Sequence, residues 1–207
     1  MARKLRVIGL GGSMASGSRS QAALRIALDG AKETGANTLL LDIRELDLPM
    51  YVPGGKPPQR ATELADHVHR GDAMIWSSPL YHGTISGAFK NALDWLQLLS
   101  DRDPPYLHDM VVGLISAAGG SQGLQAVNTM EFVVRALRGW AVPFVVPVAQ
   151  ADKVFDEEGR VTDPKVERQL KLLGAEVGRV AEMFAGDKLQ MEPEVACAQA
   201  AERVAAA

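Results

Sequence analysis

Asp72-Ala73-Met74-Ile75-Trp76-Ser77-Ser78-Pro79-Leu80-Tyr81-His82-Gly83-Thr84-Ile85-Ser86-Gly87-Ala88-Phe89-Lys90-Asn91-Ala92-Leu93-Asp94-Trp95-Leu96 reads as strand, loop and helix in turn. Ala73 to Trp76 is a short apolar run of the kind that makes a buried strand. Pro79 fixes its own backbone and holds Ser78 extended. Gly83 and Gly87 let the chain turn tightly and let another group approach the backbone. Ile85, Ala88, Phe89, Ala92, Leu93, Trp95 and Leu96 then recur at helical spacing. Tyr81 and His82 therefore stand at the C-terminal end of a strand. In a doubly wound sheet that end binds ligands.

Working outward, the same alternation repeats. Leu5 to Leu10 reads as a first strand, closed by Gly11, Gly12 and Ser13. A helix patterned on Ala22, Ala23, Leu24, Ile26, Ala27 and Leu28 ends near Gly35. Asn37 to Ile43 reads as a second strand. Residues 47–58 form a Pro/Gly loop too long for a simple connection, and such loops are usually functional or mobile. Thr62 to Arg70 reads as a short helix. Met110 to Ser116 is a fourth strand, followed by a helix from Gln122 to Leu137. Trp140 to Val148 is a fifth strand, whose prolines Pro143 and Pro147 predict an edge position or irregular pairing. Asp163 and Pro164 supply N-cap and first-turn chemistry for a last helix. Five strand–helix alternations predict an α/β fold with a parallel sheet between helical layers. In the order 2-1-3-4-5, strands one, three and four are adjacent, so their loops converge on one crevice.

Composition bounds the function. At 207 residues one domain is the natural prior, and a sizeable core can be buried. A formal net charge of −3 carries no basic footprint for nucleic acid. No apolar run approaches the roughly 18 residues of a membrane span. Met1 to Arg6 runs directly into a strand pattern and lacks the long apolar region of a signal peptide. Cys197 is the single cysteine, so no internal disulfide is expected. A cytoplasmic protein is the expectation.

Each converging loop has its own chemistry. Ser13, Ser16, Gly17, Ser18 and Ser20 bring hydroxyls and free amides to a helix N-terminus, which favours an anion such as phosphate. The Gly-Lys-Ser/Thr ending of a P-loop is missing. Tyr81 offers a flat packing surface and His82 a donor. Ser116 to Ser121 again offers amides at a strand end. One ligand carrying a phosphate and a flat ring would use all three loops. His67, His69 and His108 lack metal-ligand spacing, so no metal is expected. Ser13 lacks a Gly-x-Ser-x-Gly context, which argues against a hydrolase.

Three blocks carry a resemblance to the flavodoxin-like NADPH-dependent FMN reductase family. Gly12 to Ser20 resembles that family's phosphate loop, usually Gly-Ser-x-Arg-x-x-Ser-x-Asn. Pro79 to Trp95 resembles its Pro-x-Tyr-Asn block and the Leu-Lys-Asn-Ala-Ile-Asp-Trp that follows. Phe155 to Pro164 resembles its acidic turn before the last helix. The likeness covers roughly residues 4–185. Ala15 departs from the usual arginine, Ser20 from a frequent asparagine and His82 from another. Arg19 is the candidate replacement for the missing positive charge.

The resemblance implies a flavodoxin-like five-stranded domain over residues 1–185, with 186–207 as a weakly ordered or oligomer-dependent tail. It implies bound FMN, with the phosphate on Ser13, Ser18, Arg19 and Ser20. Pro79, Leu80, Tyr81, His82, Gly83 and Thr84 would lie along the ring. Ser116, Ala117, Ala118, Gly119 and Gly120 would face its pyrimidine edge. The flavin carries the chemistry, so no catalytic side chain is required, and His82 assists without being essential. NADPH (or NADH) would supply hydride, and a small-molecule acceptor such as flavin, a quinone, an azo dye or chromate would take it in ping-pong fashion. Two other readings stay open: an FMN electron carrier without NADPH oxidation, and a scaffold that has lost its flavin. Mild acidity and a single obvious aromatic, Tyr81, argue against the carrier; Ala15 is the one hint of the scaffold. Relatives of this kind are commonly dimers or tetramers. The central helix adds Phe89, Leu93 and Leu96 on one side and Trp95, Leu98 and Leu99 on another, which predicts a homo-oligomer with a second partner surface.

Overall fold

A computed structural model describes residues 3–190, with side chains described as far as residue 185. Its strands are β1 (Arg6–Gly11), β2 (Asn37–Asp42), β3 (Ala73–Tyr81), β4 (Thr84–Ile85), β5 (Val111–Ala117), β6 (Trp140–Ala141) and β7 (Val146–Val148). Its helices are α1 (Arg19–Glu33), α2 (Ile43–Leu46), α3 (Gln59–His69), α4 (Gly87–Asp94), α5 (Leu124–Ala136), α6 (Ala151–Val154) and α7 (Pro164–Gln190). The sheet order is β2-β1-β3-β5-β6, with β7 also beside β5 and β4 folded antiparallel on β3.

Alternate residues of each central strand feed opposite cores, as the pleat requires. Ile8, Met74, Trp76, Val112 and Leu114 pack under α3, α4 and α5. Val7, Ala73, Ile75, Val111 and Ile115 pack under α1 and α7. Gly113 lets α7 sit close, since a Cβ there would meet Val177 Cγ2 at 2.6 Å. The result is the expected flavodoxin-like sandwich, a parallel sheet covered on both faces.

Four details go beyond the sequence-based expectation, the irregular pairing expected of the fifth strand among them. The third strand does not stop at Trp76 but continues through Ser77, Ser78 and Pro79 to Tyr81. Pro79 is tolerated because β1 has already ended: β3 pairs β1 up to Ser77 but β5 up to Pro79. The fifth strand is two pieces, β6 and β7, each paired with β5 and separated around Pro143. The central helix ends at Asp94 and tightens into a 3₁₀ turn over Trp95–Leu99. Of the tail expected to be weakly ordered, residues 186–190 continue α7, and 191–207 lie outside the described residues.

The apolar surplus on the central helix has an owner within the same chain. Trp95 is 4% exposed, and its indole N–H donates to Pro49 O at 2.8 Å. Tyr51 stands edge-on to it at 5.2 Å. Asn91 accepts from the Tyr51 amide at 2.8 Å and donates to Pro49 O at 3.0 Å. Leu96 and Leu99 are fully buried, and Leu98 packs partly buried against the same core. These residues are therefore no partner surface. They clamp the first part of loop 47–58 onto α4, while Met50 and Val52 remain exposed. Replacing Trp95 with Phe keeps an aromatic ring but removes one of the two donors to the Pro49 carbonyl, leaving Asn91 as the other. We expect a stability loss of about 1–2 kcal/mol by urea unfolding, with faster hydrogen exchange at the Tyr51 amide; unchanged exchange would show that the clamp does not depend on this bond.

Candidate functional site

The loop after β1 is built on a close approach. Ser77 O lies where a Cβ on Gly11 would fall, and Gly12 (φ 102°) donates its N–H to that oxygen at 3.2 Å. Ser77 Oγ donates to Ser20 O at 2.8 Å, tying the first turn of α1 to β3. Above this seam the hydroxyls form a chain. Ser13 Oγ donates to Ser18 Oγ at 3.1 Å, and Ser18 Oγ lies 2.9 Å from Ser20 Oγ. Ser18 is also the N-cap, accepting from the Gln21 amide at 3.4 Å. Arg19 donates through Nη1 to Gly17 O at 3.3 Å. Its Nε is the one buried side-chain nitrogen or oxygen without a hydrogen-bond partner among the described residues. Hydroxyl donors, an unsatisfied guanidinium N–H and the N-terminus of a 15-residue helix make an anion cradle.

The second loop is a hairpin. Leu80 pairs Ile85 and Tyr81 pairs Thr84, leaving His82 and Gly83 as a two-residue turn with φ values of 48° and 85°. Positive φ at both positions is the I′ turn, for which Asn-Gly is the favoured pair. Histidine is one of the few other residues that enters this region readily. Ser78, fully buried, closes the base by donating to Pro79 O and accepting from the Ser86 amide at 3.1 Å. Thr84 Oγ1 lies 3.1 Å from Thr129 Oγ1, which docks the hairpin on α5.

The third loop is held from below. The Ala118 amide donates to Val148 O, the Ala151 amide to Ala118 O, and the Gln150 amide to Gly120 O, at 2.9, 2.9 and 3.0 Å. The Ala118 N–H is thus committed to β7 and does not face a ligand. Ser116 is fully buried and donates to Gly123 O at 2.7 Å, which closes the turn into α5.

The loops meet around a cleft of about 590 Å³. Of the residues proposed from sequence, Ser13, Ser18, Arg19, Ser20, Pro79, Leu80, Tyr81, Ala117 and Gly119 line it. His82, Gly83 and Thr84, at the hairpin tip, are not among its lining residues, nor are the buried Ser116 and Ala118 or the exposed Gly120. Sequence reasoning missed Ala151, Asp152 and Glu157, which form the remaining wall. A Cβ on Gly119 would come within 3.8 Å of Asp152 Oδ2. The nearby Arg160 is engaged elsewhere, by Asp156 at 2.7 Å and Glu158 at 2.9 Å. That hydrogen bond from Arg160 holds the Asp156 carboxyl below the usual carboxylate range. No group of three or more His, Cys, Asp or Glu side chains is placed to hold a metal among the described residues. No described helix is long and apolar enough to cross a membrane.

Comparison with known proteins agrees with this geometry. A family model described as NADPH-dependent FMN reductase matches residues 5–153. A probable NADPH:quinone oxidoreductase of Oryza sativa is 30% identical over 180 residues, 82% of this chain and 85% of that protein. An FMN-dependent NADPH-azoreductase of Staphylococcus aureus is 29% identical over 154 residues, 72% of this chain and 79% of that one. Among solved structures, the flavoenzyme NAD(P)H:(acceptor) oxidoreductase FerB of Paracoccus denitrificans superposes with a TM-score of 0.70 at 21% identity. That match covers 87% of this chain and 98% of FerB, and it speaks for the fold.

The hairpin geometry makes a test of His82. His82→Asn should keep or slightly raise stability, whereas His82→Val forces a β-branched residue to positive φ and should cost about 1–2 kcal/mol. Thermal unfolding of both variants checks this, and equal midpoints would place the turn constraint elsewhere.

Proposed function

The chain belongs to the NADPH-dependent FMN reductase family and is an FMN-dependent NAD(P)H oxidoreductase; on that premise we propose that it works by ping-pong transfer, taking a hydride from NADPH (or NADH) and reducing a small acceptor such as a quinone or flavin. The observation that carries the residue assignment is the anion cradle at the head of α1. Its hydroxyls and the free Arg19 Nε fit the FMN phosphate, so Ser13, Ser18, Arg19 and Ser20 would hold it. Arg19 then does the work of the arginine that Ala15 replaces.

Pro79, Leu80 and Tyr81 would support one side of the ring, where water is excluded by the buried strand beneath. The Gly119 side of the third loop would meet the ring's polar edge, without the Ala118 amide. When bound, FMN supplies two-electron chemistry, receiving hydride and giving it up to the next ligand. With a quinone the balance is NADPH, one proton and quinone giving NADP⁺ and hydroquinone. The chain's own residues would hold, orient and shield. The same reading includes the cytoplasm, where NADPH is the common reductant, and a homodimer or homotetramer. Support for the latter is the exposed Leu124 and Phe132 on α5, not the buried Trp95. Light scattering at micromolar concentration tests it, and a monomer at all concentrations would refute it.

The purified protein should be yellow, bleach anaerobically with NADPH, and give parallel double-reciprocal lines when NADPH and quinone are varied. A yellow protein that NADPH does not bleach would be an electron carrier, and a colourless one that takes up no FMN would be a scaffold. Ser18→Asp is the sharper test of the cradle. Aspartate is itself a good N-cap, so α1 is retained while a like charge meets the phosphate. FMN affinity should fall at least about a hundredfold, ~2.7 kcal/mol, and unchanged flavin occupancy would remove the cradle from the site.

A further inference from the structure

We infer that Asp152 and Glu157 set the class of acceptor: the cleft selects flat acceptors whose reducible ring carries no negative charge, and disfavours oxyanions and ring-sulfonated dyes. This deepens the reductase reading and rests on it. The two carboxylates line the same cleft as the anion cradle and Pro79, Leu80 and Tyr81, with Asp152 beside the third loop at Gly119. Both are exposed, and neither has an ion-pair or hydrogen-bond partner among the described residues. Arg160, which could have neutralised them, is bonded to Asp156 and Glu158 on either side of Glu157. Arg19 is the one cation among the lining residues, and it belongs to the cradle.

The charge balance follows. Arg19 and the helix N-terminus offset part of the charge of a bound phosphate, and Asp152 and Glu157 then leave the open part of the cleft negative. Pro79, Leu80 and a half-exposed Tyr81 line the same cleft and favour a flat apolar ring. A neutral quinone suits both groups. A sulfonate or chromate brings its charge against two carboxylates in a cleft with low-dielectric walls, where repulsion is poorly screened. NADPH escapes the penalty because its phosphates stand a ribose away from the nicotinamide, and that ring is neutral before hydride loss and cationic after. The acceptor receives the hydride and one proton from solvent, and leaves as the neutral hydroquinone.

The test uses the oxidised holoprotein and three anthraquinones that carry a hydroxymethyl, a sulfonate or a trimethylammoniomethyl group at the same ring position. Each is titrated without NADPH, and binding is read from the perturbed flavin spectrum. The sulfonate should bind on the order of tenfold more weakly than the hydroxymethyl compound at low salt, with the ammonium compound at least equal to it. The gap should narrow as salt is raised, close in Asp152→Asn/Glu157→Gln, and reverse in Asp152→Lys/Glu157→Lys. Both positions are exposed, and a retained flavin spectrum certifies the fold of each double variant. Equal binding of sulfonate and hydroxymethyl compounds in the parent, or a gap unmoved by the double variants, overturns the inference. Turnover separates the two readings: absent bleaching by NADPH would sink the reductase assignment and leave the charge selectivity standing on the titrations.

Discussion

Everything at the ligand-binding edge depends on how closely β1 approaches β3 at Gly11. No side chain fits there, because Ser77 O occupies its place. That contact lets the Gly12 amide and the Ser77 hydroxyl stitch the cradle loop to the strand that runs into the hairpin. The two halves of the cleft are thus one rigid unit, fixed by backbone contacts at its base. The chemistry of this family needs such a base, since the cofactor reacts and the protein's contribution is to hold it in one place. A cradle free to drift relative to the hairpin would lose that orientation.

The hairpin and α4 repeat the device with side chains. Ser78 and Ser86 are buried hydroxyls whose partners are all backbone groups of the turn they close. Asn91 and Trp95 do the same for loop 47–58, donating to the Leu48 and Pro49 carbonyls. The most specific family-like block, Pro79 to Trp95, is therefore mostly architecture. Its Ser86, Asn91 and Trp95 shape the edge, and Pro79, Leu80 and Tyr81 alone of the block line the cleft.

This explains what the sequence could and could not reveal. Strand order was legible because Gly, Ser and Pro punctuate each strand end and apolar runs recur between helices. The true end of β3 was not, because Ser77, Ser78 and Pro79 break the apolar run while being buried, and their hydroxyls are satisfied only in three dimensions. Trp95 looked like surplus surface because its partner, Pro49, lies 46 residues away in a loop without periodicity. Ser116 looked ligand-facing by its place at a strand end, yet its bond to Gly123 turns it inward. Asp152 and Glu157 were hidden for a plainer reason. They follow a strand split by proline, and no repeat in the sequence says that α6 folds back beside Gly119.

The cradle and the acid wall divide one cleft between opposite electrostatic tasks. Ser13, Ser18 and Ser20 satisfy one another when no anion is bound, and hydroxyl rotors can turn outward at little cost when one arrives. Arg19 Nε is buried with no hydrogen-bond partner among the described residues, so an acceptor placed there would gain a bond without breaking one. Asp152 and Glu157 would do the reverse, since a second anion in the same cleft would meet two carboxylates without partners among the described residues. On the proposed reading, a resident phosphate and a visiting neutral ring suit both groups.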